Sequence, residues 1–201
     1  MKISSLFLFA SLALASLVPA QTQLVRGDVD SIQNTNRWRL DCTNIELVST
    51  TVDLQALHNA SRQQDIEYEM QVIDVSQPGL PKLNVISARA IPEIFDMGNI
   101  RFGRSDTWAV SGAAGSSFGI WITLPQATSY APFGSWGTWL LGQHPMLFAQ
   151  GTIPATGRFE FKYQPPTVPA WVGVTIVGQA VVVQGSSILI TNPGCKDIRA
   201  N

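Results

Sequence analysis

Hydrophobic and polar residues alternate with a period of two at several places along this chain. Ile66, Tyr68, Met70 and Val72 interleave with Asp65, Glu67, Glu69 and Gln71, the pattern of a strand with one buried and one solvated face. Residues 157–163 alternate more cleanly still, with Phe159, Phe161 and Tyr163 on one side and Arg158, Glu160 and Lys162 on the other. Further strands are predicted at 45–52, 83–87, 107–111, 118–124, 136–141 and 187–191. The longer apolar stretch 172–183 is interrupted by Gly173 and Gly178, and reads as a strand buried on both faces or bent at a glycine.

Turn chemistry separates these runs: Gln77-Pro78-Gly79, Gly112-Ala113-Ala114-Gly115, Gln164-Pro165-Pro166 and Asn192-Pro193-Gly194. One short helix is predicted over 53–62, where Leu54, Leu57 and Ala60 recur at helical spacing behind an Asp53 N-cap. No alternation of strands with helices follows, which argues against a parallel sheet. Short strands with frequent turns predict an all-β chain, an antiparallel sandwich of Ig-like or jelly-roll type.

Composition narrows the function classes. Of 201 residues 45% are hydrophobic and only 13% charged, against about 25% charged in an ordinary domain. That balance excludes intrinsic disorder. A net charge of −1 argues against a nucleic-acid partner held through phosphates. Charge is also unevenly placed: 107–157 and 164–194 contain no Asp, Glu, Lys or Arg, and five of the six tryptophans fall in that half. No linker-like stretch marks a boundary, so 21–201 reads as a single β-sandwich domain.

Residues 1–20 have the order of a secretory signal peptide: Lys2, an apolar run from Leu6 to Leu17, then Val18-Pro19-Ala20. The expectation is an exported chain, secreted, periplasmic or at the cell surface, with no membrane span after cleavage. In an oxidising compartment the two cysteines, Cys42 and Cys195, are expected to form a disulfide that clasps the ends of the folded region.

Several motifs invite chemistry. Gly115-Ser116-Ser117-Phe118-Gly119 matches the G-x-S-x-G elbow, but a strand pattern rather than a helix follows it. Glu67 and Glu69 are a carboxylate pair of the kind glycoside hydrolysis uses, yet they share a polar strand face, which predicts solvation. Asp28 and Asp30 open like a calcium loop and then depart from it at Ile32 and Gln33. His58 and His144 read as surface or turn residues, and Asn59-Ala60-Ser61 is a glycosylation sequon. No cofactor is implied. The aromatics Tyr130, Trp136 and Trp139, set in an uncharged loop, are the candidate ligand platform, since flat exposed rings suit sugar stacking; the competing reading is core packing.

The runs Pro169-Ala170-Trp171-Val172-Gly173-Val174-Thr175-Ile176-Val177-Gly178-Gln179-Ala180-Val181-Val182-Val183 and Ile188-Leu189-Ile190-Thr191-Asn192 resemble a C-terminal β-rich module of uncharacterised secreted proteins of planctomycete-type bacteria. The similarity spans 108–191. It implies an extracellular β-sandwich and carries no catalytic motif, and the chain departs from it at Cys195 and at Lys196-Asp197-Ile198-Arg199.

These readings converge on an exported, non-enzymatic structural or adhesive module whose partner is a polysaccharide, a cell-surface protein or another copy of itself. The alternatives are a carbohydrate-binding module using Tyr130, Trp136 or Trp139, and a jelly-roll glycoside hydrolase using Glu67 and Glu69.

Overall fold

The computed structural model describes residues 21–200, except positions 34, 65 and 143 and the side chain at 127. The expected export signal at 1–20 and Asp65 of the alternating run lie outside the described residues. Among the described residues the chain is all-β with a single α-helix.

Residues 23–91 make a sheet that closes on itself. Its strands are β1 (Gln23–Gly27), β2 (Val29–Ser31), β3 (Trp38–Leu40), β4 (Glu46–Val48), β5 (Glu67–Asp74) and β6 (Lys82–Ile91), in the order β1-β5-β6-β4-β3-β2. β1 and β2 stand at the two edges, yet only Asp28 separates them. They are one strand bent at Gly27, where φ is +147° and a Cβ would meet Leu40 Cδ1 at 2.9 Å. Counted as one, they lead an order of first, second, third, fifth, fourth and back to first, with β4 and β6 parallel. That is the connectivity of a five-stranded Greek-key barrel of the OB type. The predicted alternation holds on β5, where Tyr68, Met70 and Val72 enter a core shared with Val25, Leu40 and Leu83.

Helix α1 (Leu54–Gln64) joins β4 to β5, two residues longer than expected at its end. Asp53 is its N-cap, the carboxylate accepting from Ala56 N at 3.0 Å. Leu54, His58 and Ser61 form its buried face. His58 is thus not a surface residue: its Nδ1 lies 2.8 Å from Val29 O and its ring against Trp38. Position i+4 from Leu54 turns it inward.

From residue 95 onward two sheets face each other as a sandwich. One has the order β13-β10-β15-β16-β8, formed by β8 (Ile100–Arg101), β10 (Ser117–Thr123), β13 (Met146–Thr152), β15 (Thr175–Gln184) and β16 (Ser187–Arg199). The other is β14-β9-β7, from β7 (Phe95–Asp96), β9 (Asp106–Ser111) and β14 (Arg158–Tyr163). Phe95, Trp108, Phe118, Ile120 and Ala180 fill the space between them. Pairing is antiparallel except for β4 with β6 and β8 with β16.

Gly178 and Gly194 lie opposite each other on β15 and β16, leaving bare backbone for the Phe95 ring; a Cβ on Gly178 would sit 3.1 Å from its Cε1. The predicted strand 136–141 is reduced to β12 (Thr138–Trp139), paired with β11 (Ala131–Pro132), because residues 134–136 form a 3₁₀ turn. The charged tail Lys196-Asp197-Ile198-Arg199 is no appendage: it continues β16, and Ile198 is buried.

Polar side chains lock barrel to sandwich. Arg26 on β1 donates to Ile190 O at 2.8 Å and to Trp136 O at 2.9 Å, and pairs with Glu69 at 2.6 Å. Gln179 accepts from Leu140 N at 2.9 Å and donates to Thr138 O and Thr191 O. Asn192 accepts from Phe95 N and donates to Phe95 O and Glu67 Oε1. The expected Cys42–Cys195 disulfide joins the β3–β4 turn to β16, with 5.4 Å between the Cα atoms. Among the described residues no helix is long and apolar enough to cross a membrane.

Candidate functional site

The three aromatics singled out from the sequence have different surroundings. Trp136 closes the 3₁₀ turn and is 41% exposed, beside the more exposed Phe133. Tyr130 is half-buried against the barrel core, and its hydroxyl donates to Gln23 Oε1. Burial raises its pKa far above the usual phenol value. Trp139 is half-buried, with its indole N–H on Gly142 O at 3.1 Å and its ring edge-on to Trp121 at 5.6 Å. Only Trp136 therefore offers an open ring face.

The carboxylate pair is solvated unequally. The sandwich covers the strand face at Glu67, which is buried and accepts from Asn192 Nδ2 at 3.1 Å, while its second oxygen has no hydrogen-bond partner; Glu69 is half-buried and Gln71 beyond it is exposed. Burial, reinforced by Asp28, Glu93 and Asp41, pushes Glu67 up to about 9. Burial and Asp96 likewise raise Glu93 to about 7. Glu69 goes the other way: burial would raise it, but hydrogen bonds and ion pairs with Arg89 and Arg26 hold it below the ordinary value. Neither Glu67 nor Glu69 lines the clefts described below.

The other motifs dissolve into structure. Ser117 is an exposed residue opening β10, and the turn before it carries the chain from one sheet to the other, so no elbow forms. Its neighbour Ser116 is buried without a hydrogen-bond partner and lines a cleft of about 290 Å³ with Glu93. No histidine lines that cleft: His58 is in the barrel and His144 is exposed on a loop. Asp30 pairs with Arg39 at 2.7 Å. Asp41 lies close to both cysteine sulfurs, but a disulfide supplies no thiolate to a metal.

Sequence reasoning missed a strongly apolar cavity. At one end of the sandwich a pocket of about 470 Å³ opens between β13, β14 and the loop after β14. Trp108 and Phe148 stack at 4.8 Å at its inner side, Tyr163 stands edge-on to Phe148, and Pro165, Pro166 and Trp171 contribute from the loop. Among the described residues no Asp, Glu, Lys, Arg or His lines it. Leu124, Met146 and Trp171 are exposed, as are the neighbouring Leu147 and Val172. The lining runs from Ile100 to Ile198, so no local motif announces it; the only signal is the absence of charge over 107–157 and 164–194. A volume of this size lies within the range of small-molecule sites. Comparison with protein-family models, with curated proteins and with solved structures found no match for this chain.

Proposed function

We propose that this chain is an exported, non-enzymatic structural or adhesive module that associates with copies of itself through the uncharged end of its sandwich. The observation that carries the reading is the open edge of β13. Its sequence, Met146 to Thr152, has no charge and no proline, and its outer side pairs with no other described strand. Native edge strands are normally blunted by charges, prolines or bulges; β13 has neither charge nor proline, and although it carries one bulge, at Phe148 opposite Ile120 and Trp121, the residues on either side of it remain a template for pairing. Two copies meeting edge to edge make a self-complementary two-fold contact. A net charge of −1 opposes that contact only weakly.

Sedimentation velocity over a wide concentration range tests this. Concentration-dependent dimers, abolished by Leu147→Lys, are the expected result. A single monomeric species at high concentration overturns it.

A second reading, binding of a neutral polysaccharide, is favoured by the exposure of Trp136 and Phe133 on one turn. Saturable pull-down on an insoluble polysaccharide, lost in Trp136→Ala, supports it; no retention across a broad panel ends it.

A further inference from the structure

Cys42 and Cys195 are 153 positions apart, and neither has a His or a second Cys at zinc spacing along the chain. The fold brings a third ligand to them. Where the β3–β4 turn meets β16, the Asp41 carboxylate and both cysteine sulfurs lie within 4.8 Å of one another. Asp41 Oδ2 is 3.3 Å from Cys42 Sγ. All three residues are half-buried, at the margin of the seam between barrel and sandwich.

We infer that reduction turns this clasp into a site for one zinc ion, held by the Cys42 and Cys195 thiolates and the Asp41 carboxylate, with water in the fourth place. A dithiol attacks one sulfur as its thiolate, and its second thiol completes the exchange. The dithiol leaves as its own disulfide, and the chain gains two electrons and two protons as two thiols. Zn²⁺ then takes both sulfurs as thiolates and releases the two protons. The clasp thus has two closed forms, one covalent and one bridged by metal.

The geometry fits the ion. In a tetrahedral site with Zn–S of about 2.3 Å and Zn–O of about 2.0 Å, sulfur and oxygen stand about 3.5 Å apart and two sulfurs about 3.8 Å. Asp41 and Cys42 already come close to the first separation. The second requires the sulfurs to part by about 1.7 Å from a bonded distance, a side-chain rotation across Cα atoms 5.4 Å apart. Backbone bonds hold the ligands in place without the sulfur–sulfur bond. Asp41 N donates to Asp28 O at 3.0 Å, Thr43 N donates to Leu40 O at 3.2 Å, and Cys195 pairs with Val177 in the β15–β16 ladder. Two thiolates and a carboxylate around Zn²⁺ leave one negative charge, and the positive charges of Arg39 and Lys196 both act on Asp41. Thiolate ligands select zinc over calcium or magnesium, which take oxygen.

The site uses no residue of β13, so the inference goes beyond self-association, and Leu147→Lys binds metal as the parent does whatever becomes of the dimer. The test reduces the folded protein with dithiothreitol, removes the reagent under nitrogen, and titrates with Co²⁺ and then Zn²⁺. One Co²⁺ per chain is expected, with a thiolate-to-cobalt band and the visible bands of a tetrahedral site, all erased as Zn²⁺ displaces cobalt. The oxidised protein shows none of them. Asp41→Asn weakens binding about tenfold or more, Cys195→Ser abolishes the tetrahedral spectrum, and Asp30→Asn, a neighbouring carboxylate outside the site, binds as the parent does.

Tryptophan emission reports the fold throughout. If the reduced, metal-free chain unfolds, Zn²⁺ is expected to restore the folded emission of the parent and not of Cys195→Ser. A disulfide that resists dithiothreitol in the folded chain, equal binding by oxidised and reduced protein, or no stoichiometric tetrahedral spectrum overturns the inference. So does an Asp41→Asn variant with the parent's affinity, or an unfolded reduced chain that zinc does not refold.

Discussion

Replacing Glu67 with glutamine is expected to stabilise the protein at neutral pH, against the usual direction of a buried substitution. The carboxyl is pushed from an ordinary 4.5 up to about 9, so at pH 7 the folded chain holds a proton that the unfolded chain has released. Retaining it costs about 1.4 kcal/mol for each pH unit above the unfolded value, or about 3 kcal/mol at pH 7. Glutamine has the same shape and carries no such cost, and its amide oxygen keeps the bond from Asn192 Nδ2 seen at 3.1 Å. A raised pKa also fixes the direction of the pH dependence. The contribution of Glu67 is fully present below about 4.5 and is lost as pH climbs towards about 9.

Urea unfolding of the parent and Glu67→Gln at pH 5, 7 and 9 checks both statements. The gap between the two proteins should be small at pH 5, about 3 kcal/mol at pH 7 and larger at pH 9. Glu93, also raised, adds to the parent's slope in the same direction, which is why the difference between the proteins is the quantity to read. Equal stabilities at all three values, or a parent that grows more stable from pH 5 to 9, would refute the reasoning.

Cys42→Ser with Cys195→Ser should cost about 5 kcal/mol in the chain-entropy model for a closed loop of 153 residues, measured by urea unfolding. Gly137→Ala should destabilise by about 1–3 kcal/mol, visible as a lower Tm: its φ is +114°, and the added methyl would lie 2.7 Å from Arg26 Nη1 and 3.0 Å from Ile190 O. Gln179→Leu should cost about 3 kcal/mol or more in the same assay, because it strands Leu140 N–H and the carbonyls of Thr138 and Thr191.

Local physics was legible in the sequence and long-range covering was not. The alternation at 157–163 became β14 and the Asp53-capped run became α1, since both depend on neighbours within a few residues. Glu67 and Glu69 have the signature of a wet strand face, but a residue 125 positions later, Asn192, covers Glu67. The division into barrel and sandwich was hidden for the same reason. Its seam is built from Arg26, Gln179 and Asn192, residue types that read as surface until their partners are in place. The bent strand β1/β2 turns on a single glycine, and the apolar pocket gathers side chains from six separate stretches of chain. Of the aromatic candidates, the 3₁₀ turn at 134–136 left Trp136 exposed and drew Trp139 onto Trp121, an outcome that strand parity alone does not specify.

The disulfide has a mechanical meaning for a module proposed to hold surfaces together. Tension applied at the two ends of the chain reaches Cys42 from one side and Cys195 from the other, and crosses between them through a covalent bond. The intervening stretch is bypassed, so about 500 Å of contour that would otherwise unravel stays out of the path of the force. Of the described residues, those left in the path of the force are the segment before Cys42, including β1 with its Arg26 staple, and the last residues of β16. In an oxidising setting the bond keeps the stretch between Cys42 and Cys195 from extending; reduction turns that stretch into a long, compliant tether.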